Sequence, residues 1–185
     1  MSSLIQYCPA CGQKAFTPNS AKSFLCNQCD FILYFNAIAA VAAIIESEEE
    51  ILLAVRGKNP GLGLLDLPGG FIDHHETVED ALIRELQEEL GLDVGTRESL
   101  YPHYMGSFPN TYNYRGVTYE TVDMFYHIIF DQKPYLKADD DVADLIWVPR
   151  DDIPMDTIAF PSIRNILGLY QRTQESKTNT MAQVR

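Results

Sequence analysis

All four cysteines of this chain fall within its first 29 residues, as Cys8-Pro9-Ala10-Cys11 and Cys26-Asn27-Gln28-Cys29, with fourteen residues between the pairs. No other feature restricts the fold so strongly. A segment this short holds too little apolar material to close a core of its own and needs a staple. Each tight Cys-x-x-Cys turn points two thiolates to one side, and two such turns complete a tetrahedral shell around Zn²⁺. Disulfides are one rival reading, but they belong to oxidising compartments. A redox-active pair is another, and it leaves the second pair without a role. The expectation is a structural zinc site of Cys8, Cys11, Cys26 and Cys29, closed to substrate because its four positions are filled. Residues 1–35 are read as this zinc ribbon.

From Asn36 onward the texture is that of a mixed α/β domain, expected over 36–172. Ala37–Ile45 and Ile51–Val55 read as strands joined by the acidic turn Glu46-Ser47-Glu48-Glu49-Glu50. Gly57 to Gly70 is rich in glycine and proline and is expected to be loop. Thr77–Leu90 is expected as a helix, with Thr77 as N-cap, Asp80 as a capping-box partner and Gly91 as the stop. Val78, Leu82, Leu86 and Leu90 give it one apolar stripe. Further strands are expected at Thr121–Phe130 and Leu145–Val148, and a last helix from about Ser162 to Tyr170. The tail, 173–185, is polar and aperiodic and is expected to be disordered.

The formal net charge of −12 argues against a nucleic-acid partner, because such a chain repels phosphate backbones at long range. The ribbon carries only Lys14 and Lys22 against Asp30, which is no basic face. Docking onto its own domain or supporting a homodimer are the roles left for it. The first residues show no basic stretch followed by an apolar one, and the longest apolar run, Ala37 to Ile45, is too short to span a bilayer. A cytoplasmic setting with no membrane contact is expected.

The chemistry concentrates on the helix. Glu85, Glu88 and Glu89 are spaced i, i+3 and i+4, which places them within about 100° of its circumference. Three carboxylates so close repel one another, and they sit towards the helix C-terminus, where the macrodipole also disfavours them. Arg84 is the one cation in that stretch. A solvated acidic face would account for the glutamates alone. The preceding Leu67-Pro68-Gly69-Gly70 adds backbone that approaches a ligand without side chains in the way. Hard oxygen ligands of this kind suit Mg²⁺ or Mn²⁺.

The spacing from Gly70 to Leu92 is Gly-x5-Glu-x7-Arg-Glu-Leu-x-Glu-Glu-x-Gly-Leu. It resembles the signature of the Nudix hydrolases at every specified position. The resemblance implies an α/β/α sandwich with a mixed sheet, and metal-dependent attack of water on a nucleoside diphosphate linked to another moiety. It implies that Glu85, Glu88 and Glu89 hold Mg²⁺ or Mn²⁺, with the Gly69 carbonyl as a further ligand. Arg84 would then orient Glu85, and Glu76 would anchor the loop. A downstream acid often completes such sites, and Asp141 in Asp139-Asp140-Asp141 is the first choice. His74 and His75 lie in the variable part of the motif and are given no role.

A cysteine module before such a domain is similar to the arrangement in NADH pyrophosphatases. The longer signature those enzymes carry after the box is reduced here to Ser107 and Pro109. ADP-ribose pyrophosphatases carry a proline at about the distance of Pro109, which makes ADP-ribose the favoured substrate and NADH-like dinucleotides the next. Phe108, Tyr112 and Arg115 are candidates to hold the nucleotide, by stacking or phosphate contact. Two other function classes stand beside the hydrolase. One is a catalytically silent nucleotide sensor, which would be expected to break the glutamate set. The other is a zinc-ribbon interaction module.

Overall fold

The computed structural model describes residues 5–92 and 102–183. The chain forms two compact units. One comprises Met1–Ile38 with Thr111–Thr121, and the other Ala39–Asn110 with Val122–Arg185.

The first unit contains a three-stranded sheet in the order β1 (Phe16–Ser20), β2 (Ser23–Cys26), β3 (Ile32–Tyr34). Its core is small: Cys8, Phe16, Phe24 and Cys26 are buried, with Ile5, Ala15, Leu33 and Phe35 packed against them. Two of the four core residues are cysteines, so whatever ties the sulfurs also holds the core.

The second unit is built on β4 (Ile38–Ser47), whose side chains alternate between two cores as a strand's period of two requires. Val41, Ala43 and Ile45 enter one core, together with Leu82, Leu86 and Leu90 of α1 (Val78–Leu90). Ala42 and Ile44 enter the other, with Ile163, Ile166, Leu167 and Tyr170 of α2 (Pro161–Gln183). Strand β5 (Glu50–Arg56) alternates in the same way, Leu52 facing α1 and Ile51 and Leu53 facing α2. A sheet between two helical layers follows, the expected α/β/α sandwich. The sheet path is β10-β5-β4-β9-β8, with β8 at His103–Tyr114, β9 at Val117–Phe130 and β10 at Val142–Pro149. Short strands β6 (Leu65–Asp66) and β7 (Gly69–Phe71) pair with β5 and β4.

Helix α1 starts and stops as its sequence dictates. The Thr77 hydroxyl oxygen accepts from the Asp80 amide and donates to the Asp80 carboxylate, and Gly91 closes the helix at φ 61. Burying each of Leu82, Leu86 and Leu90 contributes roughly 1.5–3 kcal/mol.

Several expectations are corrected. The stretch from Gly57 to Gly70 is not loop throughout, since β6 and the start of β7 lie in it. Strand β8 was not expected: its polar and aromatic residues lack the alternation that marks a half-buried strand. The tail is also different. Helix α2 runs on to Gln183 rather than ending near Tyr170 with a disordered segment after it. After Gly168 the sequence has neither glycine nor proline to stop it, and Gln, Glu, Lys, Met and Ala are sound helix formers. Among the described residues, no helix is long and apolar enough to cross a membrane.

Candidate functional site

In the first unit the two Cys-x-x-Cys turns bring all four sulfurs within 4.8 Å of one another. Cys8 Sγ lies 3.8 Å from Cys29 Sγ, and Cys11 Sγ lies 3.7 Å from Cys26 Sγ. A tetrahedron of sulfurs each about 2.3 Å from a central Zn²⁺ has edges of about 3.8 Å. Disulfides need separations near 2.05 Å, and all four cysteines are free. The Ala10 amide donates to Cys8 Sγ. Burial works against ionising Cys26, but hydrogen bonds from the Gln28 and Cys29 amides and the Cys29 and Cys11 thiols together outweigh it and lower that thiol to about 7. The donor set and its spacing fit zinc.

In the second unit, pairing of β7 with β4 sets Gly69 opposite Ala42 and Gly70 opposite Val41. A Cβ on Gly69, at φ +146, would collide with the Val41 carbonyl. A Cβ on Gly70 would collide with the Glu85 carboxylate. The two glycines therefore do different work: Gly69 lets the strands approach, and Gly70 lets the carboxylate lie on bare backbone. The Gly69 amide donates to Glu89 Oε2 at 2.8 Å.

Arg84 gathers the other acids. Its Nε and Nη2 hold the two oxygens of Glu76 at 3.1 and 2.8 Å, and Nη1 reaches Glu85 at 2.8 Å and Glu88 at 3.1 Å. Nη2 also donates to the Phe71 carbonyl. Glu76 in turn accepts from the Asp73 amide, tying down the loop before the helix. The guanidinium holds the Glu76 carboxyl below its usual range and is itself held charged.

Burial raises both inner glutamates, but to different extents. Burial raises Glu85, with Arg84 opposing. Glu89 is pushed up to about 8, chiefly by burial, with Glu85, Asp66 and Asp141 adding repulsion against one stabilising bond from Gly69. These are like charges, and a divalent ion would offset them.

Asp141 stands at the edge of this cluster. Its carboxylate pairs with Lys58, and Lys58 also reaches Asp140 at 3.4 Å. The Asp139 amide donates to the Glu89 carbonyl, and the Lys137 amide to the Leu90 carbonyl, so the acidic loop is tied to the last turn of α1.

One acid was missed. Asp66, immediately before Leu67-Pro68-Gly69-Gly70, is buried, pairs with Arg56 at 2.6 Å and accepts from the Leu67 amide. Burial raises it to about 6, and its field reaches Glu89. Its place beside the glycines was the available signal.

The nucleotide-holding candidates are divided between the two units. Phe108 is half-buried and packs against Phe125, 6.4 Å between ring centroids, in the core beneath α2. Tyr112 and Arg115 belong to the unit that contains the cysteines. Arg115 sits at φ 48 in the two-residue turn between β8 and β9, its guanidinium 5.2 Å from the centre of the Tyr114 ring.

A family model described as NUDIX domain matches residues 36–167. An ADP-ribose pyrophosphatase of Methanocaldococcus jannaschii is 50% identical over 60 residues, covering 32% of this chain and 36% of that protein. A NAD-capped RNA hydrolase NudC of Pseudomonas aeruginosa is 23% identical over 169 residues, 89% of this chain and 55% of the relative. Among solved structures, a bifunctional NMN adenylyltransferase/ADP ribose pyrophosphatase of Francisella tularensis, in complex with AMP and a Mn ion, superposes with a TM-score of 0.61. It is 28% identical over 75% of this chain and 42% of that one. The chain thus spans between about a third and just over half the length of the curated relatives it matches here.

Proposed function

The chain belongs to the NUDIX domain family, and on that premise we propose that it hydrolyses the diphosphate linkage of a nucleoside diphosphate joined to a second moiety, with ADP-ribose favoured. The observation that carries this reading is the imbalance of charge around α1. Glu76, Glu85 and Glu88 share the guanidinium of Arg84, while Glu89 is buried against the Gly69 amide.

In this reading Glu85, Glu88 and Glu89 hold Mg²⁺ or Mn²⁺, with the Gly69 carbonyl and Asp141 as further oxygens. Bound metal would supply charge neutralisation at the phosphates and a lowered pKa for water. The chain's own residues do the rest. Arg84 keeps Glu85 and Glu88 side by side, Glu76 fixes the loop that presents Gly70, and the bare backbone of Gly70 lets the Glu85 carboxylate lie against it. Phe108, Tyr112 and Arg115 are the proposed nucleotide contacts, and of these Arg115 on its hairpin turn is the most exposed to a ligand. The four cysteines hold structural Zn²⁺ within a ribbon spanning 1–35, ahead of a catalytic domain over 36–172. A cytoplasmic setting is consistent with four free thiols.

The relatives named NAD-capped RNA hydrolases favour a second substrate of the same chemistry, a dinucleotide cap on RNA. The net charge of −12 disfavours grip on a long RNA body. The test is a panel of ADP-ribose, NADH, NAD, a NAD-capped oligonucleotide and nucleoside triphosphates, each with Mg²⁺, Mn²⁺ or EDTA. Metal-dependent release of AMP from ADP-ribose is the expected result. Turnover of none of them by folded, zinc-loaded protein would refute the proposed hydrolase.

A further inference from the structure

A diphosphate brings negative charge to a site already crowded with carboxylates, and a cation of the protein placed there would share that charge with the bound metal. Arg84 is not that cation. A guanidinium has five N–H donors, and those of Arg84 are spent on two oxygens of Glu76, one each of Glu85 and Glu88, and the Phe71 carbonyl. Arg56 is committed as well, to Asp66 and the Pro60 carbonyl, with its guanidinium stacked on Phe160.

Lys58 is placed differently. The Gly57 amide donates to the Asp141 carbonyl at 2.7 Å, and a Cβ on Gly57 would stand only 2.9 Å from that oxygen. This close backbone approach fixes the root of the Lys58 side chain beside the acidic loop, which is itself hydrogen-bonded to the last turn of α1. The side chain is 59% exposed, and its ammonium lies on Asp140 and on Asp141, the acid whose field reaches Glu89. Exposed ion pairs of this kind are weak and readily exchanged. Lys137 is a poorer candidate: it pairs with Asp139 from a side chain that is 71% exposed.

We propose that Lys58 is the substrate-phosphate contact of this site, exchanging its aspartate partners for a phosphate oxygen of the diphosphate. The inference rests on the diphosphate hydrolysis proposed above.

The test compares Lys58→Met, Lys58→Arg and Lys137→Met with the wild type. It measures KM and kcat for ADP-ribose, the Mn²⁺ concentration for half-activation, and Tm. Lys58→Met is expected to raise KM about 10- to 100-fold, the range for losing a hydrogen bond to a charged group. Its kcat and Mn²⁺ requirement should stay near wild type. Lys58→Arg should recover most of the KM, and Lys137→Met should leave it unchanged. A Lys58→Met enzyme with wild-type KM overturns the inference. So does one whose kcat falls or whose Mn²⁺ requirement rises without a change in KM, since that marks a residue that only braces the acidic loop. A wild type that hydrolyses none of the panel overturns the proposed function itself, and the inference falls with it.

Discussion

Four thiols in one unit and four acids in the other are each a crowd of anionic ligands, but they are arranged in opposite ways. The sulfurs converge on one another, with Cys11 and Cys26 at 3.7 Å and Cys8 and Cys29 at 3.8 Å, and two of them are core residues of their own small unit. Nothing is left for a substrate. The glutamates are held by protein donors instead, Glu76, Glu85 and Glu88 by Arg84 and Glu89 by the Gly69 amide. Their protonation is uneven, with Glu76 held low and Glu89 pushed to about 8. A converged set that doubles as core is a fastening. A set in which three acids share one guanidinium and the fourth bonds a backbone amide suits an exchangeable ion and a ligand beside it.

The largest effect that would break this comparison is expected at Glu88. Glu88→Gln keeps the shape and removes one charge. It should lower kcat by about a hundredfold or more while leaving zinc content and fold intact, as is usual when charge stabilisation is lost. Steady-state kinetics and circular dichroism check it, and near-normal turnover would remove Glu88 from the site.

Next in size is the opposite loss. Cys26→Ser should abolish stoichiometric zinc and unfold the cysteine unit, because the same side chain is ligand and core. Metal analysis and exchange protection over 5–35 measure this. A zinc content of one per chain in the variant would contradict the four-thiolate reading.

The smallest effect concerns pH. Between the ordinary carboxylate range and about 8, folded Glu89 keeps a proton that the unfolded chain has released. Stability of the divalent-free protein therefore falls as pH rises from about 5 to 8. Added Mg²⁺ should raise Tm by several degrees at pH 8 and by little at pH 5, and Glu89→Gln should flatten both trends. A Tm that rises steadily over this range without metal would contradict the assigned environment of Glu89.

How much of this was legible in the sequence follows from the range of the interactions. Helix α1 was readable almost residue by residue, because Thr77, Gly91 and the Leu82-Leu86-Leu90 stripe are local signals. The cysteine cluster was readable because two tight turns leave little choice of geometry. Asp66 and Lys58 were not, since their importance arises only when β5, β6 and the loop before β10 come together. Strand β8 was hidden by a mixture of aromatic and polar residues without period. The end of α2 was hidden because a solvated helix and a disordered tail share one composition.

The most direct measurement follows both metals through one titration. Purified protein is assayed for ADP-ribose hydrolysis and for bound zinc as EDTA is added and then exceeded with Mg²⁺. The prediction is that hydrolysis disappears and returns with free Mg²⁺ while zinc stays near one per chain. Hydrolysis that persists in EDTA, or that rises and falls with zinc content instead, would contradict the division between a fastening and a working site.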